Sequence, residues 1–180
     1  KVDSKFCVVR FGNVLNSSGS VIPIFKKQIE EDNFVTITSA DMVRYFITME
    51  EAANLIFKAA KIMEGNEIFI LKMKALRIID LANVLVEGLA SRYGKDPKKF
   101  KYNVIGVKKG EKISEALMTK EEAEHVREYD NLFIINTSYW SYTHKLQNTK
   151  KLSSSEYNAA DARLLTKKEI KELLKKDRIL

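Results

Sequence analysis

Three observations predict a mixed α/β fold for this 180-residue chain. Short apolar runs with strand character recur along it, at "FCVVRFGNV", "NEIFILK", "KYNVIGV" and "LFIIN". Between them lie longer stretches with apolar residues at helical spacing, and three of these open on Thr-x-x-Glu. No internal repeat is present. The alternation supports an α/β or α+β unit built from pieces of more than one subdomain, and the length alone suggests one domain with a sizeable core.

Taken in order, "FCVVRFGNV" reads as a buried strand that turns on Gly12-Asn13. "SSGSVIPIFKKQIEED" reads as a glycine-serine loop feeding a helix whose inner side is Val21, Ile22, Ile24, Phe25 and Ile29. "VTIT" is a short extended segment, and "DMVRYF" is read as a loop. Thr48 with Glu51, Thr119 with Glu122 and Thr166 with Glu169 each write a capping box, in which hydroxyl and carboxylate satisfy helix amides reciprocally. The first opens "TMEEAANLIFKAAKIM", the second a helix running through "EEAEHVREY" with His125 inside it, and the third "TKKEIKELLKK". "RIIDLANVLVEGLASRYG" is a further helix. "YWSYTHKLQNTKKLSSSEYNAADARL" is polar and irregular, as a surface lid is.

Composition narrows the function classes. Hydrophobic content of 45% with seven glycines and two prolines argues against disorder. No apolar run approaches the roughly 20 residues that span a bilayer, so membrane insertion is not expected. Cys7, the single cysteine, reads as a buried thiol suited to a reducing compartment, which makes the cytoplasm the expected location. A net charge of +7 favours phosphate-bearing partners without separating RNA from a nucleotide diphosphate. No zinc-finger spacing, RNP-like aromatic pattern or KH-type loop marks a specific nucleic-acid partner.

Few residues offer ligand chemistry. Asn13, just past a buried strand, can donate its amide to a phosphate or carbonyl oxygen, or can cap its own turn. Ser17 to Ser20 present hydroxyls near a helix start, where anions are favoured, but the segment is not a P-loop. Arg44 stands in the nearly apolar "MVRYF"; either its stem packs while its head reaches solvent, or it pairs with something buried. Glu111, in "KKGEK", can accept two hydrogen bonds from a ribose diol or pair with the lysines beside it. Two histidines are too few for a histidine-rich metal site. No GxGxxG, GKS/T or nucleophile elbow appears, so no catalytic residue is assigned.

The words "VRFGNVLNSSGSVIPIFKKQI", "TITSADMVRYFITMEEAANLI", "GNEIFILKM" with "RIIDLA", and "GVKKGEKISEALMTKEEA" stand in order over roughly the first 135 residues. Together they resemble the C-terminal portion of an extended short-chain dehydrogenase/reductase of the UDP-N-acetylglucosamine 4,6-dehydratase and 5-epimerase group, which serves polysaccharide biosynthesis. "LSSSEYN" loosely matches a family tail. The resemblance implies an incomplete α/β unit, with late Rossmann-sheet strands plus a substrate-binding subdomain. Residues 1–180 would be the nucleotide-sugar-binding portion, and the catalytic Rossmann portion with its dinucleotide fingerprint and Ser/Thr-Tyr-Lys group would be absent. The odd beginning, without methionine and already entering a strand, fits that expectation.

By the same resemblance, Asn13 would contact the diphosphate of a UDP-sugar, with the Val14–Leu15 backbone nearby. Arg44 would face the diphosphate and Glu111 would hold the uridine ribose. Residues 17–23, including Ser17, Ser20 and Val21, would shape the sugar and uracil region. The family's arginine in "GSRGSV" is replaced by Ser18, and its Arg-Pro before Gly-Glu by Lys108-Lys109, which loses bidentate geometry and backbone stiffness. In the complete enzyme a hydride would leave sugar C4 for NADP, the C5 proton would become acidic, water would leave from C6, and the hydride would return there. The isolated chain is expected to be inactive. Its partners would be a UDP-sugar, the missing Rossmann portion in cis or trans, and a second copy of itself, since an interrupted parallel sheet exposes an edge. The rival readings are part of a UDP-sugar 4-epimerase, a non-catalytic nucleotide-sugar-binding module and, more distantly, an RNA-binding module.

Overall fold

The computed structural model describes residues 4–136, 150–151 and 157–180. In chain order the first half forms β1 (Cys7–Arg10), β2 (Asn13–Val14), α1 (Val21–Glu31), β3 (Phe34–Ile37), β4 (Val43–Ile47), α2 (Met49–Ile62) and β5 (Glu67–Leu71). The second half forms β6 (Ala75–Arg77), α3 (Ile78–Leu89), β7 (Lys101–Val104), β8 (Ala116–Met118), α4 (Lys120–Ala123), β9 (Val126–Tyr129), β10 (Leu132–Asn136), β11 (Lys150–Lys151), β12 (Tyr157–Asn158) and α5 (Lys167–Lys176). A 3-10 turn, Ala90–Tyr93, continues α3 until Gly94 ends it at φ 68°. The mixed α/β class is as the sequence predicts. The single domain suggested by length is not: the chain forms two compact units and passes repeatedly between them.

The first unit comprises Lys1–Gly12, Met49–Met73 and Ala116–Asn158. Its sheet has the order β1-β5-β10-β9-β11. β1 pairs parallel with β5, and β5, β10, β9 and β11 follow antiparallel. The two apolar runs at its centre, "EIFIL" and "LFIIN", are long enough to alternate side chains onto both faces. Ile70, Phe133 and Ile135 meet Met118, Ala123 and Val126 on one side. The helix expected across "EEAEHVREY" is only one turn here. Val126–Tyr129 instead pairs with Leu132–Ile135 as a hairpin, because cross-strand burial against "LFIIN" outweighs the local helical spacing. His125 is therefore exposed between α4 and β9, not inside a helix. Arg10 holds this unit together through a bidentate pair with Glu122, at 2.8 Å on both nitrogens, and a bond to the Leu117 carbonyl.

The second unit comprises Asn13–Thr48, Lys74–Glu115 and Ala159–Leu180. Its core joins Ile22, Phe25 and Ile29 of α1 to Leu81 and Leu85 of α3 and to Ile170 and Leu174 of α5. Two small sheets, β2-β4-β6 and β3-β7, flank it. "DMVRYF", read as a loop, contains β4, buried along its whole length between β2 and β6. Its charged residue hid the strand signal. Lys95 closes the end of α1, its ammonium donating to the carbonyls of Ile29, Glu30 and Asp32 at 2.9, 2.7 and 2.6 Å.

The capping boxes at Thr119 and Thr166 both form, and α2 begins directly after Thr48. Most of the expected surface lid lies outside the described residues. Its described parts are β11, within it, and then β12 and the bonded residues that lead into α5. Among the described residues no helix is long and apolar enough to cross a membrane.

Candidate functional site

A cavity of about 350 Å³ opens within the second unit. Asn13, Arg44 and Glu111, far apart in sequence, all stand in its wall. Val21, Ile24 and Phe25 of α1 supply an apolar side, continued by Ile105. Ile24 was expected on the inner side of its helix; it is 47% exposed, because α1 turns that residue and Val21 towards the cavity while Ile22, Phe25 and Ile29 take the core.

Each polar residue is set by local structure. Asn13 sits in β2 opposite Phe46, and its side-chain amide makes no hydrogen bond among the described residues. Its donor and acceptor are thus available to a ligand. Glu111 ends a four-residue turn: its N–H donates to the Lys108 carbonyl at 3.0 Å, and Gly110 takes φ 86°, as the third residue of a type II turn requires. The Glu111 carboxylate accepts from the Thr38 hydroxyl and the Lys108 N–H, both at 3.3 Å. Those bonds are long, and they orient the carboxylate while leaving it lone pairs to spare.

Arg44 resolves its two readings in favour of a buried pairing. Only 6% exposed, it donates to the carbonyls of Val43 and Ile113 at 2.8 Å and to that of Lys112. Its Nε lies 3.3 Å from Glu115. Together with the bond from the Val43 N–H to the Ile113 carbonyl, the guanidinium ties the segment that follows Glu111 to β4. Of five N–H groups, one on the terminal nitrogen that meets Lys112 has no acceptor among these contacts.

The remaining expected residues build the wall's support. The Leu15 N–H donates to the Ile47 carbonyl, and Leu15 is buried in the core. The Val14 carbonyl accepts from the Ser17 hydroxyl at 2.9 Å. Ser20 precedes α1 in extended geometry without a side-chain cap, and its buried hydroxyl has no partner among the described residues. Val14, Leu15, Ser17 and Ser20 do not line the cavity, whereas Asn13, Val21, Arg44 and Glu111 do. Sequence reasoning passed over Gln28 and Thr36, which also line it. The only signal was their place beside apolar helix and strand positions. Among the described residues, no group of His, Cys, Asp or Glu could hold a metal ion.

Comparison with known proteins agrees with this architecture. A protein of Methanocaldococcus jannaschii described as an uncharacterized membrane protein is 41% identical over 97% of this chain and 50% of its own length. A UDP-N-acetylglucosamine 4,6-dehydratase (inverting) of Campylobacter jejuni is 33% identical over 75% of this chain and 37% of its own. A UDP-glucose 4-epimerase of Rickettsia bellii is 33% identical over 94% of this chain and 49% of its own. The crystal structure of Pen from Bacillus thuringiensis superposes with a TM-score of 0.87 at 35% identity, covering 98% of this chain and 51% of that one. This chain thus spans about half the length, or less, of the relatives it matches. The family of polysaccharide biosynthesis proteins matches residues 1–137, the stretch that contains every polar residue of the cavity, and the chain belongs to that family.

Proposed function

We propose that this chain is the nucleotide-sugar-binding portion of a UDP-N-acetylglucosamine 4,6-dehydratase. The observation that carries the reading is the meeting of Asn13, Arg44 and Glu111 around one small cavity with an apolar side. Its volume, at the low end of the roughly 300–1,000 Å³ usual for ligand sites, suits a nucleoside. Glu111 accepts hydrogen bonds from the ribose diol, and the Asn13 amide donates to the diphosphate. Arg44 contributes positive charge and its remaining N–H while holding the Glu111 segment in place. Val21 and Ile105 flank the flat base. Val14, Leu15, Ser17 and Ser20 shape the turn that presents Asn13 and Val21.

A dinucleotide does not fit this cavity beside a sugar nucleotide, so no residue here is assigned to NADP and no step is derived through it. NADP binding and proton transfer belong to a partner portion of the enzyme, in cis or trans, and the 180 residues alone are inactive. An epimerase is the second reading, and the observation in its favour is that the Rickettsia epimerase aligns over 94% of the chain against 75% for the dehydratase. Loss of water from UDP-N-acetylglucosamine in the completed enzyme distinguishes the two.

Calorimetric titration of the folded chain with UDP-N-acetylglucosamine tests the grip, with ADP-glucose and a short RNA as controls. Saturable, UDP-selective heat that weakens about tenfold in Asn13→Ala is expected, the loss of one charge-assisted hydrogen bond. Absence of UDP-sugar binding by a folded sample would overturn the reading, and salt-sensitive RNA binding would replace it. Arg44→Ala is the poorer probe, since it also frees the segment that follows Glu111.

A further inference from the structure

We infer that Gln28 selects the base of the bound nucleotide, its side-chain amide donating to the 4-oxo group of a pyrimidine. This deepens the proposed uridine grip and rests on it. Gln28 lies on α1, half-buried, in the wall of the cavity. Its Oε1 accepts from the Thr36 backbone N–H at 2.9 Å. A backbone N–H can only donate, so the oxygen of the Gln28 amide must face it and the NH2 must face away. That NH2 makes no hydrogen bond among the described residues.

Both partners of that bond stand on anchored elements. Thr36 is fixed by the parallel pairing of β3 with β7, in register with Asn103. The end of α1 is anchored by the three bonds from Lys95. The cavity therefore displays a donor whose direction is decided before any ligand arrives. Its place along the cavity suits a base. Thr36 engages Gln28 and Thr38 engages Glu111, two residues further along the same extended stretch. Such neighbours lie on the order of 6–7 Å apart, comparable to the span from a ribose diol to the far edge of its pyrimidine. With Glu111 on the diol, the Gln28 NH2 meets the substituent at position 4. Uracil offers an acceptor there; cytosine offers an amine, which would set donor against donor.

The test is calorimetric titration of the wild-type chain, Gln28→Glu and Gln28→Met with UDP and with CDP, each variant first checked for cooperative melting. Wild type is expected to prefer UDP by about tenfold or more, the scale on which a buried polar mismatch discriminates. In Gln28→Glu one carboxylate oxygen still accepts from Thr36 and the other accepts from the cytosine amine, so the ratio should shift towards CDP. In Gln28→Met the donor is gone and the ratio should fall towards one, which decides the matter if the glutamate variant does not fold. UDP binding with the same UDP:CDP ratio in wild type and the folded variants would overturn this inference and leave the proposed function standing. Binding of neither nucleotide by the wild-type chain would overturn both.

Discussion

At the scale of single residues, several charged side chains are committed to structure. Arg44 is the clearest case, since its guanidinium holds three backbone carbonyls before it meets any ligand. Glu122 is similar: the hydrogen bond from Arg10, and then that from the Thr119 N–H, hold its carboxyl below the ordinary range despite partial desolvation. Glu169 is held furthest down, from 4.5 to about 2, by the Thr166 backbone N–H first, then by Arg163 and the Thr166 hydroxyl. A carboxylate whose folded pKa is depressed contributes stability that is complete above its unfolded value and is lost as pH falls through the folded one. Acid melting should therefore steepen between about pH 4.5 and 2 as the α5 capping box is protonated. Thermal melts of Glu169→Gln against pH should be flatter across that window. An identical acid limb in the variant would show that this cap does not contribute.

Among the elements, the turn Lys108–Glu111 governs how the cavity presents its carboxylate. Lys109 occupies the second position of a type II turn, where proline is favoured because its ring pre-sets φ. The Lys109 N–H donates no hydrogen bond among the described contacts. Lys109→Pro should thus stabilise the chain by about 0.4–1 kcal/mol through a less flexible unfolded state. It should also leave Glu111 where it is, so nucleotide affinity should not fall. Chemical denaturation midpoints with parallel titrations check both, and a destabilised variant would mean that Lys109 does not adopt the expected backbone angle.

On the scale of the whole molecule, apolar side chains of the first unit are exposed among the described residues. β1 is an edge strand, and Phe6 and Val8 beside and within it are 75% and 51% exposed. In α2, Met49, Ile56 and Phe57 share one stripe at spacings of seven and eight residues, and all three are exposed. A strand edge combined with apolar side chains favours association. The chain should self-associate at micromolar concentration by light scattering, and Phe57→Lys should shift it towards monomer. A wild-type monomer at those concentrations would count against an uncovered seam.

By itself the sequence determined the starts of α4 and α5, since a capping box is written within four residues and needs no distant partner, as Thr119 and Thr166 illustrate. It also determined the central strands "EIFIL" and "LFIIN", whose β-branched and aromatic runs admit few alternatives. The residues of the resemblance singled out Asn13, Arg44 and Glu111 as well, though not what each one touches. Only the tertiary structure decided that "VREY" is a strand, because its partner lies in the following segment and its local spacing is helical. Only the tertiary structure divided "VRFGNV" between two units, committed Arg44 to the carbonyls beyond Glu111, and turned the Gln28 amide towards the cavity. Each of these rests on a hydrogen bond, a strand pairing or a division of contacts that joins separate stretches of chain, and no local pattern of residue types encodes such a partner.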